Sequence, residues 1–509
     1  MPQGLGRLAT VIAQGKPQEI SWDDWKKETR EALEELFGTR FHNIHLKDKK
    51  KMIRVAPIRD EDGIAFAGLL PEESAESGPY GGMSLVWFPI TTEDGNGKSL
   101  LTLVCGTQGL APDEEILGRP GHARNVQALG RALAPFVDSK IWTKPDPANI
   151  RTLLPETAAN RFSEFDGVFK KYGSLIYAMA EVPSDPEKAE KVVSRFLDFY
   201  ASERKWRALK AAADEFENNK SALQKEIFPQ VEEEEVEALL LDRRFVILQG
   251  PPGTGKTRMA RSLLQNRFKA QGKMVQFHPG VTYETFVAGI APEAGTGSLA
   301  FLVRPGWLAE AIKEARQNPE KDYLFVLDEI NRADLSRVLG EAILLFEPRE
   351  IAEGNAPSAD LPQPLPDGTK SLSIPKNFYV LGTMNTADRS IAILDWAVRR
   401  RFAFVDLWPK AKVISDQADT AVADLAARAF GALQDLFVQF APRDALVLLP
   451  GHAMFLADSL ESLHKRLRHE LVPLLREYLL EGRLGGCESE ILAYLDWLES
   501  SLLGHAEKV

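Results

Sequence analysis

Eight residues near the middle of the chain have the types and spacing of a phosphate-binding loop. They follow an apolar run, Phe245–Leu248, and precede a stretch with helical periodicity, Arg258–Phe268. Their order, Gly-Pro-Pro-Gly-Thr-Gly-Lys-Thr, matches the pattern G-x-x-x-x-G-K-[ST] at the junction of a strand and a helix. Glycines let successive backbone N–H groups face phosphate oxygens, and a helix N-terminus favours negative charge. The predicted loop residues are Gly250, Pro251, Pro252, Gly253, Thr254, Gly255, Lys256 and Thr257.

The last two residues of this loop carry the functional groups. Lys256 is expected to contact the β- and γ-phosphates, and the Thr257 hydroxyl is expected to bind Mg²⁺. A Gly/Pro loop that matches by chance would lack the flanking strand and helix. The sequence therefore predicts a nucleoside triphosphate site.

Two further apolar runs end in polar residues suited to hydrolysis. The run Tyr323–Leu327 leads into Asp328 and Glu329. Asp328 is expected to hold Mg²⁺ and Glu329 to polarise the attacking water. A third run, Phe378–Gly382, leads towards Asn385, which could orient that water against the γ-phosphate.

A cluster of arginines follows a short predicted helix at 393–398. The cluster comprises Arg399, Arg400 and Arg401. A planar guanidinium stabilises charge developing on a γ-phosphoryl group, so Arg400 and Arg401 are candidate arginine fingers for a neighbouring subunit. The simpler alternative is a helix C-terminus that favours cations.

These motifs together resemble the AAA+ module of the McrB family, the GTP-driven motor subunits of modified-cytosine restriction systems. The resemblance covers about residues 234–482, and its most specific element is the string Met-Asn-Thr-Ala-Asp-Arg-Ser at 384–390. The segment Gly-His-Ala-Met-Phe at 451–455 is similar to the family's Gly-His-Ser-Tyr-Phe, with Ala453 and Met454 as departures.

The resemblance implies an α/β fold, namely an AAA+ P-loop NTPase module with a helical C-terminal lid. It also implies a hexameric ring with nucleotide at each interface, GTP in preference to ATP, and Asp388 and Arg389 among the nucleotide-binding residues. We find no carboxylate–carboxylate–lysine nuclease cluster in the sequence, so a McrC-like nuclease subunit is the expected partner. The alternative is a MoxR-like ATPase that remodels proteins.

Length and periodicity divide the chain into four expected domains. These are an α+β target-recognition module at 1–150, a helical linker at 151–230, the nucleotide-binding domain at 231–408 and the helical lid at 409–509. In the first, the runs Met83–Ile90 and Leu100–Cys105 predict a hairpin, because the segment between them contains Asp-Gly and Asn-Gly. The resemblance to the McrB family also implies two insertions, for which the candidates are a hairpin with its tip at 294–298 and a hairpin at 356–371.

The N-terminal module offers few residues for target recognition. The segment Gly118–Arg124, together with Trp87 and Trp142, could contact DNA bases or phosphates, or could be an ordinary structured loop. The basic run Lys47–Lys51 is interpreted as a solvated loop or strand edge. No metal site is predicted at His42 and His45, and His278 is expected to be structural.

Composition limits the class of protein. A net charge of −11 and a pI near 5.5 exclude a protein that binds DNA over its whole surface, so any DNA contact must be local. Two cysteines cannot form a disulfide framework. With no apolar run long enough for a membrane span and no signal peptide, a cytoplasmic location is expected.

Overall fold

The computed structural model describes residues 3–58, 63–293, 300–387 and 395–503. The chain forms two compact units, one of Met1–Phe228 with Asp435–Arg443 and the other of Pro229–Gln434 with Asp444–Val509. No helix in the described ranges is long and apolar enough to cross a membrane.

The first unit is built on an antiparallel sheet with strand order β1-β2-β3-β4-β6-β5. Its strands are β1 (Ile53–Ala56), β2 (Phe66–Leu69), β3 (Met83–Thr91), β4 (Gly97–Cys105), β5 (Ile141–Thr143) and β6 (Ile176–Glu181). Its helices are α1 (Leu5–Gln14), α2 (Trp22–Thr39), α3 (Lys49–Met52), α4 (Glu114–Leu117), α5 (Pro120–Leu133), α6 (Glu156–Arg161), α7 (Asp166–Tyr172), α8 (Pro186–Glu203) and α9 (Ala213–Ile227).

Both faces of this sheet are covered by apolar side chains. Alternate residues of β3 point to opposite faces, so Leu85 and Trp87 join one core cluster while Val86 and Phe88 join the other. The first cluster includes side chains from α1, α2, α5 and α8. The predicted hairpin is confirmed, because β3 pairs antiparallel with β4 from Met83 to Thr91.

The expected helical linker at 151–230 needs correction. Within it, β6 pairs with both β4 and β5, and α8 buries Phe196 and Tyr200 in the first core cluster. The short apolar run that forms β6 cannot be told from a buried helix segment by periodicity. The N-terminal fold therefore continues to about residue 228 and does not end near 150.

The second unit contains a parallel sheet with strand order β15-β7-β14-β11-β8 and two short antiparallel hairpins. Its strands are β7 (Phe245–Gly250), β8 (Gly272–Gln276), β9 (Ala288–Glu293), β10 (Ala300–Pro305), β11 (Tyr323–Asp328), β12 (Ser358–Asp360), β13 (Ser371–Ser373), β14 (Phe378–Asn385) and β15 (Ala403–Asp406).

Helices cover this sheet and continue past its last strand. Those up to β15 are α10 (Glu233–Arg243), α11 (Lys256–Asn266), α12 (Tyr283–Phe286), α13 (Trp307–Gln317), α14 (Leu335–Leu339), α15 (Pro348–Glu353) and α16 (Trp396–Arg399). Those beyond β15 are α17 (Ala411–Ser415), α18 (Thr420–Phe440), α19 (Leu460–Arg466), α20 (Val472–Leu480) and α21 (Glu488–Trp497). The last residues of α18 group with the first unit.

The two expected insertions correspond to the two hairpins. Strands β9 and β10 pair antiparallel on either side of residues 294–299, so the predicted tip at 294–298 lies outside the described residues. Strands β12 and β13 pair antiparallel within 358–373.

The strand order of the parallel sheet matters for function, because β7, β14 and β11 are adjacent and their carboxyl ends meet at one edge of the sheet.

Candidate nucleotide-binding site

The phosphate loop joins β7 to α11. Gly253 has a φ of +80° and Gly255 a φ of +86°, the left-handed region that costs an L-residue roughly 1–2 kcal/mol. Gly255 is also the N-cap residue of α11, an 11-residue helix, so the first N–H groups of that helix open onto the loop. The local backbone has the form expected of an anion site.

The Lys256 side chain is buried within the phosphate loop. Its Nζ donates to the carbonyl oxygens of Gly250 at 3.0 Å and Pro251 at 2.7 Å. The ammonium group therefore lies on the inner side of the loop, beside the backbone predicted to surround the phosphates.

Asp328 and Thr257 are brought together as the sequence predicts. The Asp328 Oδ1 atom accepts hydrogen bonds from the hydroxyls of Thr257 at 2.8 Å and Thr383 at 2.6 Å. A hydroxyl beside a carboxylate supplies the oxygen ligands that Mg²⁺ prefers. The residues present thus fit a magnesium ion held through Thr257, with Asp328 orienting that hydroxyl.

Glu329 has an unusual backbone and a well-defined side chain. Its φ of 56° and ψ of 44° lie in the left-handed helical region, and its N–H donates to the Thr383 hydroxyl at 3.1 Å. Its Oε1 accepts from Asn385 Nδ2 at 2.7 Å, and its Oε2 lies 3.5 Å from Arg332 Nε. The structure therefore joins two predicted residues, Glu329 and Asn385, at the ends of β11 and β14.

Two residues of this network were missed by sequence reasoning. Thr383 connects Asp328 to the backbone of Glu329, and Asn331 donates through Nδ2 to the Asn385 carbonyl oxygen at 2.8 Å. The available signal for Thr383 was a polar residue near the end of an apolar strand, in a chain where another apolar strand leads into two carboxylates.

The arginine cluster separates into residues of different character. Arg401 is 3% exposed and its guanidinium lies 2.7 Å from Glu347, whereas the Arg400 side chain is 69% exposed. The Arg399 guanidinium lies over the Phe404 ring at 5.5 Å. The helix before them has bounds Trp396–Arg399, and residues 393 and 394 of the predicted helix lie outside the described residues. Asp388 and Arg389, also predicted to bind nucleotide, lie outside the described residues.

The segment at 451–453 packs directly on the phosphate loop. Gly451 N–H donates to the Pro252 carbonyl oxygen at 3.1 Å, and Ala453 N–H donates to that of Gly253 at 3.0 Å. A β-carbon at Gly451 would lie 2.1 Å from the carbonyl carbon of Gly253, so no larger residue fits without movement of the backbone.

The N-terminal residues proposed for DNA contact have structural roles in the first unit. Arg124 donates to the carbonyl oxygens of Phe437 at 3.0 Å and Val438 at 2.8 Å, and burial lowers its pKa to about 10. Arg119 pairs with buried Glu203 at 2.6 Å. Trp87 is buried. The segment at 118–124 therefore leads into α5 with both arginines engaged inside the first unit, which agrees with the structured alternative.

The remaining candidates also have structural partners. Lys47 pairs with Glu72 and Lys49 with Glu34, so the basic run is balanced by acidic neighbours. His278 accepts at Nδ1 from the Gly280 N–H at 3.2 Å. Within the described ranges, no group of three or more His, Cys, Asp or Glu side chains is arranged to hold a metal ion.

Comparisons with known proteins agree with this geometry. Residues 245–402 match the family described as AAA domain (dynein-related subfamily). The chain is 35% identical over 268 residues to the type IV methyl-directed restriction enzyme EcoKMcrB subunit of Escherichia coli, covering 50% of this chain and 57% of that protein. It is 25% identical over 189 residues to the type II restriction enzyme BsuMI component YdiS of Bacillus subtilis, covering 31% of this chain and 55% of that protein.

The chain spans a little over half the length of each of these two relatives. A solved structure, NtrX from Brucella abortus, aligns with 60% of this chain and with 75% of the NtrX chain at 13% identity. The TM-score of this alignment is 0.23, which is too low to show a common fold. The AAA domain match and the parallel sheet confirm the predicted α/β AAA+ fold.

Proposed function

We propose that this chain, which is 35% identical over half its length to a McrB subunit, is an NTPase motor of a restriction or phage-defence system that acts with a separate nuclease subunit. The observation that carries the proposal is the contact between Glu329 and Asn385, beside the pair formed by Asp328 and Thr257. A protein that used nucleotide only as a structural ligand would not need this hydrolytic set. We place the protein in the cytoplasm, where such a system meets invading DNA.

The chain's own residues divide the work of hydrolysis. The N–H groups of the phosphate loop and Lys256 hold the phosphate chain, and Asp328 orients the Thr257 hydroxyl. Magnesium, when bound, neutralises charge on the β- and γ-phosphate oxygens. Glu329 accepts a proton from the attacking water, and Asn385 fixes the orientation of the Glu329 carboxylate through Oε1.

The proposed assembly is a hexameric ring that uses GTP in preference to ATP. Support for the ring comes from the Arg400 side chain, which is 69% exposed and contacts Glu347 only at 3.9 Å, whereas Arg401 is buried and pairs with Glu347 at 2.7 Å. Support for GTP comes from the McrB-type module, and the nuclease partner follows from the same relationship. The N-terminal unit is proposed to recognise the DNA target.

Turnover with each nucleotide tests this proposal. Phosphate release from GTP and ATP would be measured with the chain alone, with the product of a neighbouring McrC-like gene, and with DNA carrying modified or unmodified cytosine. We expect faster GTP turnover and stimulation by the partner. Turnover restricted to ATP, with stimulation by a protein client and none by the nuclease subunit, would instead favour a protein-remodelling ATPase.

Glu329→Gln is expected to bind nucleotide normally but to hydrolyse it at least ~100-fold more slowly, because the amide keeps the shape of the side chain but cannot accept the proton. The measurements are single-turnover phosphate release and nucleotide affinity. Glu320→Gln, at an exposed glutamate, is the matched control. Turnover at the wild-type rate would remove Glu329 from the role of base.

Deletion of residues 1–228 is expected to abolish target recognition while nucleotide-dependent oligomerisation persists, since the phosphate loop, arginine cluster and helical lid all lie beyond this point. A cut near residue 150 would be unsuitable, because it leaves β6 without β4 and β5. Mass analysis with saturating nucleotide checks the assembly. A monomeric truncation product, when the full chain forms rings, would contradict the expectation.

A further inference from the structure

One histidine lies where the segment at 451–453 meets the phosphate loop. His452 is 8% exposed and is flanked by the two residues whose N–H groups donate to the Pro252 and Gly253 carbonyl oxygens. These two backbone bonds fix the position of the His452 main chain against the loop. Its side chain is therefore held in one place and cannot move freely over the surface.

The ring of His452 is held in one tautomer. Its Nδ1 lies 3.2 Å from the Lys410 backbone nitrogen, which can only donate, so Nδ1 accepts and the ring proton belongs on Nε2. Burial, with help from the Lys410 and Arg258 charges, lowers the pKa of His452 to about 4. Near neutral pH the ring is therefore uncharged, with Nε2–H as its donor.

That donor faces the phosphate loop. Nε2 lies 3.8 Å from the point where a β-carbon on Gly255 would stand, and Gly255 is the N-cap residue of α11. Within the described part of the chain, Nε2 has no hydrogen-bond partner. An N–H donor at this place adds to the backbone N–H groups that a loop at a helix N-terminus offers to an anion.

We infer that His452 is a nucleotide-binding residue whose Nε2–H donates to the phosphate chain of the bound nucleotide. The inference rests on the proposed function, because it requires nucleotide in this loop. The segment at 451–453 then takes part directly in nucleotide binding, because the neutral imidazole of His452 connects the helical region beyond β15 to the phosphates. A nucleotide bound in the phosphate loop would then hold the helical region beyond β15 against the loop.

Affinity measurements with phosphates of different length test this assignment on the full chain. We expect His452→Leu to weaken GDP and GTP binding by about 10-fold or more, the usual effect of losing a hydrogen bond to a charged group, and to leave guanosine binding unchanged. His452→Gln, whose amide can still donate, should recover part of the loss. His464→Leu, a histidine of α19, is the matched control and should bind like the wild type.

A second measurement reports on His452 in the wild-type chain directly. In the wild-type chain with ¹⁵N-labelled histidine, NMR should report the Nε2-protonated tautomer of His452, with a shift of the Nε2–H resonance when GDP is added. The His452→Gln spectrum assigns the signal.

Two results would overturn the inference while sparing the proposed function. One is wild-type affinity of His452→Leu for GDP and GTP together with an unshifted Nε2–H signal. The other is an equal loss of guanosine binding, which would place His452 at the base or ribose. A wild-type chain that binds neither GTP nor ATP would overturn both the proposed function and this inference.

Discussion

Substitution of Lys256 by alanine is expected to abolish nucleotide binding. The ammonium is the only side-chain cation that the structure places inside the described phosphate loop, at 2.7 Å from the Pro251 carbonyl oxygen. Removing it takes a point charge away from phosphate oxygens in a site that is largely shielded from water, where electrostatic interactions are strong. Calorimetry with GTP and with ATP measures the effect.

A matched lysine variant separates the loss of this charge from a general loss of stability. Lys273 lies on β8 of the same sheet and pairs with Glu310 at 2.6 Å, so Lys273→Ala removes a charge away from the loop. We expect Lys273→Ala to bind nucleotide like the wild type. Undiminished affinity of Lys256→Ala for both nucleotides would refute the nucleotide-binding site as described.

Arg400→Ala is expected to reduce turnover by ~10³-fold or more and to leave the nucleotide affinity of the isolated protomer unchanged, because an arginine finger acts on the next subunit's phosphate. Arg401→Ala should behave differently, since it leaves Glu347 without its buried partner and should lower the melting temperature. Phosphate release and thermal unfolding of the two variants distinguish these roles.

A mixing experiment tests whether the site is shared between subunits. Arg400→Ala protein combined with Lys256→Ala protein should regain partial activity, because some interfaces then join an intact loop to an intact finger. The recovery should depend on total protein concentration. If mass analysis proves that mixed rings form and no activity returns, Arg400 does not act across the interface.

Much of the nucleotide site could be predicted from sequence because its residues are local to strand ends. A buried parallel strand is a continuous apolar run, so the polar residue that follows it marks the carboxyl edge of the sheet. This rule located Asp328, Glu329 and Asn385, and the phosphate-loop pattern located Thr257. The structure pairs Thr257 with Asp328 and Asn385 with Glu329. The strand-end rule could not locate contacts made by backbone groups, such as Gly451 on Pro252.

The N-terminal unit contains contacts that sequence spacing cannot reveal. Arg119 and Arg124 looked available for phosphates because sequence spacing cannot reveal Glu203 or the Phe437 carbonyl oxygen, partners more than 80 residues away. The sheet strand at 176–181 was missed for the same reason, since its identity depends on pairing with β4 and β5. In both cases the role of the residues depends on partners that are distant in the sequence.

The left-handed backbone of Glu329 implies a trade-off between stability and activity. A non-glycine residue in this conformation costs about 1 kcal/mol or more of folding free energy. Glycine would adopt the same φ and ψ without strain, but it has no carboxylate. Selection for thermal stability alone would therefore favour loss of Glu329, and a stabilised library screened only for folding should be enriched in inactive chains at this position.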